Sequence, residues 1–168
     1  MICKLVGTLL LLLAGGYVSV AITRFERRRL RVLDGYISLI YYIKGQIDCY
    51  AMPLSEILAS ADPAVIAACL GLDMTTPLPD LPLPAERPLS AMVQESRLYL
   101  EPETDRLLTT LTGELGSTYR EEQVMRCDHY LTALTEERRR LRDTLPSRLR
   151  ATCALCVCCA LGAAVILW

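Results

Sequence analysis

The sequence predicts an all-α protein, a cytoplasmic helical bundle flanked by an N-terminal and a C-terminal transmembrane helix. Three observations carry that prediction. Apolar residues recur at three- and four-residue steps over 30–47 and again over 124–145, the spacing of one helix face. No stretch alternates apolar and polar residues with the two-residue period of a half-buried strand. Two 18-residue segments, 5–22 and 151–168, contain no charged residue.

A formal charge of −1 over 168 residues conceals how the charges are arranged. Five Arg and one Glu over 24–31 make +4, six Arg and one Asp over 138–150 make +5, and 32–137 carries −11. An 18-residue helix is about 27 Å long, close to the roughly 30 Å hydrocarbon core, and flanking Arg side chains can snorkel to the interface. Arginines crowded beside an apolar run mark its cytoplasmic end. Both collars therefore direct 23–150 into the cytoplasm and put both termini outside, giving spans at 1–22 and 151–168. Lys4 and Ser19-Val20-Ala21 also fit a cleaved secretory signal, but the Arg density just downstream resists translocation. Anionic lipid head groups suit the collars better than nucleic acid, since Phe25 is the one aromatic residue among them.

Leu30, Leu33, Ile37, Ile40 and Ile47 form one stripe, interrupted by Lys44, and Val32, Tyr36, Leu39 and Ile43 form a second beside it. They predict one long helix to about Tyr50, continuous with the first span apart from Gly15, Gly16 and Gly35. Pro53 opens a short helix through Leu58. Asp62-Pro63 reads as an N-cap with a first-turn proline, and Gly71 as the stop. Five prolines between Pro77 and Pro88 remove donors and hold the chain extended, so 73–88 is a loop. Helices are expected over 89–100 and 102–115, the second ending on a left-handed Gly116. Thr118-x-x-Glu121 reads as a capping box. Beyond it Val124, Cys127, Leu131, Leu134, Leu141 and Leu145 form a heptad-like seam whose one polar position is Arg138. Pro146 should kink or end this helix. Because both long helices are fixed to one membrane, antiparallel pairing buries both seams, with the short helices completing a bundle.

Enzyme chemistry has little to stand on, and no cofactor, small-molecule substrate or nucleic acid is expected. His129 is adjacent to Asp128 and two residues from Cys127, spacings that do not share a helix face. There is no phosphate-binding G-x-x-x-x-G-K-[ST] loop and no H-E-x-x-H. Reduced thiols are expected in the cytoplasm, so Cys49, Cys69 and Cys127 read as small core residues. Cys153-x-x-Cys156 has zinc-knuckle spacing, but Cys158 and Cys159 share the same apolar run and no second ligand pair lies on a turn elsewhere.

Leu115-Gly116-Ser117-Thr118-Tyr119-Arg120-Glu121-Glu122-Gln123 resembles the L-G-x-T-D-x-E-x-Q turn of the stage III sporulation protein AB family. Residues 46–58 are similar to that family's E-I-x-Y-G-x-T-P-L-x-E-A-L, and Lys4-Leu5-Val6-Gly7 to its opening K-L-x-G. Tyr119 stands where the family usually has Asp, and Gln46 where it has Glu. The resemblance implies a helical domain like the cytoplasmic one of type II secretion F-type platform proteins. It also implies membership of the channel complex between mother cell and forespore, in the mother-cell membrane around the forespore, with a cytosolic secretion-type ATPase of the stage III sporulation protein AA kind as partner.

On that basis Leu115, Gly116, Ser117, Thr118 and Glu121 shape the turn. Arg120, Glu122 and Gln123, together with Glu101, Glu103 and Asp105, are the candidate partner surface, and Glu114 and Glu121 are further acids of that region that could dock a basic face of the ATPase. The competing reading is a membrane-tethered adaptor in signalling or cell division that dimerises through its heptad seam.

Overall fold

The computed structural model describes residues 2–50, 52–72, 88–116 and 119–167, with side chains described for Gly7, for Gly162 and for the described residues from 13 to 159. Among the described residues every regular element is helical. The order is α1 (Ile2–Tyr50), α2 (Leu54–Ala59), α3 (Pro63–Cys69), α4 (Leu89–Ser96), a 3-10 turn (Arg97–Tyr99), α5 (Pro102–Glu114) and α6 (Arg120–Leu167). The chain divides into two compact units, Arg28–Arg140 and a second made of Met1–Arg27 with Leu141–Trp168. The divisions fall inside the two arginine collars.

In the Arg28–Arg140 unit, α1 and α6 run antiparallel. Asp34 meets Arg138 at 3.2 Å, Lys44 meets Asp128 at 2.6 Å and Asp48 meets Arg120 at 3.2 Å, so residue numbers fall on one helix as they rise on the other. Between these rungs the apolar faces close on each other and on the short helices. Val32, Leu39, Ile43, Ile57, Cys69, Cys127 and Leu134 are fully buried, with Leu33, Tyr36, Ile40, Leu108 and Leu111 close behind. The core is centred on the stripe of Val32, Tyr36, Leu39 and Ile43. Leu30 and Ile37, assigned to the principal stripe from spacing, are only partly covered. The interrupting Lys44 and Arg138 reach flanking carboxylates, which explains how charged residues occupy seam positions.

Local chemistry accounts for the element ends. Asp62 caps α3 by accepting from the Ala64 N–H at 2.8 Å. At its other end, the Leu72 N–H bonds to the Ala67 carbonyl and the Gly71 N–H to that of Ala68. Gly71 has φ 67°, so this is a Schellman closure on a left-handed glycine. Pro53 is the extended residue before α2, with φ −66° and ψ 146°, and not its first helical residue as expected. Its carbonyl takes the first helical bonds, from Glu56 and Ile57. The helix expected over 89–100 ends at Ser96 and tightens into the 3-10 turn. Leu100 and Glu101 are extended, the conformation forced on Glu101 by the proline that follows.

Gly35 is a contact point and leaves α1 unbroken. A Cβ there would lie 2.7 Å from the Cys69 nitrogen and 2.9 Å from the Ala68 carbonyl carbon, so α1 and α3 touch backbone to backbone. One polar pair crosses the core: the buried Tyr36 hydroxyl donates to Ser96 Oγ at 2.7 Å, and Ser96 donates to the Val93 carbonyl at 3.1 Å. Both hydroxyls are thereby satisfied, which burial demands.

In the other unit, Ser19 Oγ and Cys153 Sγ are 2.8 Å apart and Thr23 bonds back to the Ser19 carbonyl. Pro146 does not end α6, which continues through it. Its missing N–H removes a single helical bond, and the Thr144 and Ser147 hydroxyls bond backwards to the carbonyls of Leu141 and Thr144 in the same turn. Leu13, Tyr17, Val18, Val20, Leu155 and Val157 are exposed here. Among the described residues no helix is long and apolar enough to cross a membrane; side chains at 5, 6, 8–12, 160, 161 and 163–168 of the two charge-free runs lie outside the description. The proline-rich 73–87 also lies outside the described residues.

Candidate partner-binding surface

The turn between α5 and α6 is built from two helix ends. Leu115 leaves α5 in an extended conformation, with φ −66° and ψ 130°. Gly116 follows at φ 89°, a left-handed geometry that L side chains resist. Nothing lies within 4 Å of a Cβ built on Gly116, so backbone conformation alone selects the glycine. On the far side α6 begins at Arg120, with the Gln123 N–H bonded to the Tyr119 carbonyl. Ser117 and Thr118, including the hydroxyl expected to cap α6, lie outside the described residues.

Arg126 ties these two ends together. Its guanidinium meets Glu114 at the end of α5 at 2.9 Å and Glu122 in the first turn of α6 at 2.7 Å. The Tyr130 hydroxyl donates to the same Glu114 at 3.1 Å. Hydrogen bonds to Glu122 and Glu114 raise the pKa of Arg126 further. Sequence spacing shows the Glu122–Arg126 pair, four residues apart on one helix. The Glu114 contact depends on how the helices cross.

Arg120 reaches the end of α1, where it donates to the Asp48 backbone carbonyl and to its carboxylate. Asp48, Tyr119, Arg120, Glu121 and Val124 line an open concavity of about 650 Å³ beside the turn. Tyr119 is 88% exposed and Glu121 is exposed as well. Glu122 and Gln123, named with Arg120 as partner-facing, are partly covered, and Glu122 is held by Arg126.

The remaining candidate acids lie at the start of α5 and do not line this concavity. Glu101 pairs with Arg29 at 2.9 Å and Asp105 with Arg97 at 2.9 Å, while Glu103 is exposed. Much of the acidity legible in the sequence is thus matched by an arginine within the fold. The collars are shared in the same way. Arg28 donates to the Tyr99 hydroxyl and lies 5.7 Å over its ring, Arg29 donates to the Tyr99 carbonyl, and Arg138 holds Asp34. These collar arginines, like Arg139 and Arg140 beside Glu136 and Glu137, therefore have protein partners in addition to any lipid.

Glu137 was missed by sequence reading. Its carboxyl lies near Arg140 at 3.7 Å, with 13% of the side chain exposed and one oxygen buried without a hydrogen-bond partner. Burial raises its pKa, Arg140 opposes the rise, and the carboxyls of Glu101 and Glu103 add to it. A glutamate between Glu136 and a run of three arginines on a helix gives no sequence sign of this.

Cys69 and Cys127 are core residues, and burial raises both thiols, Cys69 to about 12. Cys49 is exposed, contrary to its assignment to the core, because it follows the last inward turn of α1. His129 is exposed and stands edge-on to Tyr130 at 5.7 Å. No group of three His, Cys, Asp or Glu suited to a metal ion occurs among the described residues.

Comparison with family models, with curated proteins and with solved structures gives no match for this chain.

Proposed function

We propose that the chain is a non-enzymatic membrane platform of the stage III sporulation protein AB kind. In this reading it is a scaffold component of the mother cell–forespore channel complex, with its central domain in the mother-cell cytoplasm, and it docks a cytosolic secretion-type ATPase. The observation that carries the reading is the 115–123 turn. Its Gly116 adopts the left-handed geometry that such a motif needs, and the turn borders an open concavity lined by Tyr119, Arg120 and Glu121. The two charge-free runs, the collars beside them and the exposed Leu13, Tyr17, Leu155 and Val157 support anchoring by two spans, since uncovered apolar surface of this kind suits lipid. The dimeric adaptor is the weaker reading, because Cys127, Leu131 and Leu134 of its seam are buried within the chain's own bundle.

The direct test is a pull-down of a fragment spanning residues 24–150 against the secretion ATPase encoded nearest to this gene. Specific retention is expected; absence of both retention and a neighbouring ATPase gene would refute the platform reading. Reporter fusions at the two termini should both read as extracytoplasmic, and a cytoplasmic C-terminus would overturn the hairpin arrangement. Size-exclusion chromatography of the fragment should give a monomer, whereas a dimer would revive the adaptor.

A further inference from the structure

The concavity at the α5–α6 turn has an uneven supply of charge. Arg120 is engaged by the Asp48 carbonyl and carboxylate, so the two charges of that pair largely offset each other. Arg126, close behind, is engaged by Glu114 and Glu122. Glu121 remains: it is exposed, lines the concavity, and makes no ion pair among the described residues. Beside it stands Tyr119, a large aromatic side chain left 88% exposed. The concavity lies between the C-terminus of α1 at Tyr50 and the N-terminus of α6 at Arg120, whose opposite dipole ends offset each other. The surrounding stretch 32–137 carries −11. An exposed carboxylate and an aromatic ring, in a stretch of net negative charge, together form a receptor for a cation on a hydrocarbon stem.

We propose that this concavity takes a lysine or arginine from a basic segment of the docked partner, with Glu121 as counter-ion and Tyr119 as the aromatic wall. This rests on the platform reading, and it narrows the contact from the acids spread over 101–122 to Glu121, joined by Tyr119, a residue first read as a departure from the family pattern. Tyr119 belongs to the class of residue that concentrates binding energy at interfaces.

The test measures affinity of the full chain in nanodiscs for the secretion ATPase, at low and at high salt. Glu121→Lys should weaken binding about ten-fold or more at low salt, with the difference shrinking as salt screens it. Tyr119→Ala should weaken it about three-fold, the scale of an exposed cation–π contact, and Tyr119→Phe should retain it. Glu103→Lys, the same charge change at the start of α5, should have little effect. Unaltered melting curves check that these exposed substitutions leave the fold intact. No binding by the wild-type chain overturns the platform reading and this inference together. Wild-type binding that is indifferent to Glu121→Lys and Tyr119→Ala overturns this inference alone. Tighter binding by Glu121→Lys also overturns it and identifies an acidic partner segment.

Discussion

The same two long helices treat their apolar side chains in opposite ways in the two units. Within Arg28–Arg140, Val32, Leu39 and Ile43 on α1 and Leu134 on α6 have no exposed surface. Within the other unit, Leu13 and Tyr17 on α1 are 62% and 78% exposed, and Leu155 on α6 is 66% exposed. Hydrophobicity alone does not separate the two sets. What separates them is whether neighbouring helices cover the face. Each Å² of apolar surface taken from water is worth about 25 cal/mol, so the first set holds the fold together and the second set needs a different surrounding. Substitutions should therefore have opposite signatures in the two units.

The largest expected contrast is between Leu134→Ala and Leu155→Ala. The first leaves a cavity in a core closed on all sides and should cost about 2–5 kcal/mol. The second should cost under about 0.5 kcal/mol in water and instead weaken association with lipid. Chemical denaturation of each variant, followed by flotation with vesicles, measures both. Equal losses of stability would dissolve the distinction between the units.

Gly35→Ala comes next. The new methyl would meet backbone atoms of Ala68 and Cys69, which cannot rotate away as a side chain can, so α3 must shift from α1. A loss of about 1–3 kcal/mol is expected, seen as a lower melting temperature. Gly16→Ala in the other unit, where nothing lies within 4 Å, should leave the melt unchanged. Gly116→Ala should cost about 1 kcal/mol, the penalty of a left-handed backbone for a residue with a Cβ. An unchanged melting curve would refute the structural reading of the turn.

The smallest effect belongs to Glu137 and carries a pH signature. Its raised pKa means that the fold favours the neutral carboxyl, facing Glu101, Glu103 and Arg140. Stability from this group is present below the ordinary glutamate pKa and is lost as pH rises through the folded value. Glu137→Gln should therefore stabilise the fold at pH 7 by less than about 1 kcal/mol, as befits a partly screened site, seen as a higher melting temperature, and should match wild type near pH 4. A gain equal at both pH values would contradict this account.

Much of the fold was legible because local rules decided it. Periodicity located the paired stripes, Asp62-Pro63 and Gly71 bounded α3, and Gly116 marked the end of α5. The errors have specific physical causes. Pro53 stands one residue outside the helix it was thought to open. Of the two outcomes expected at Pro146, the end of the helix does not occur, since α6 continues through it at the loss of one backbone donor. Cys49 follows the last inward turn of α1 and faces outward. Of the candidate surface, the sequence displayed the residues but not their partners. Glu101, Asp105, Glu114 and Glu122 look alike along the chain, yet each is joined to an arginine, three of the four through contacts that cross between elements.

By itself, then, the sequence determined the helical class, the apolar stripes over 30–47 and 124–145 and the charge layout, because periodicity and charge density are properties of neighbours along the chain. Tertiary structure alone decided that the stripe of Val32, Tyr36, Leu39 and Ile43 is the centre of the core and that Gly35 is the point where two backbones meet. It also decided that Glu121 and Tyr119 stand open beside the turn. The physical reason is that burial and charge pairing depend on distances between residues far apart in sequence, such as the 3.2 Å from Asp34 to Arg138, and only packing sets those distances.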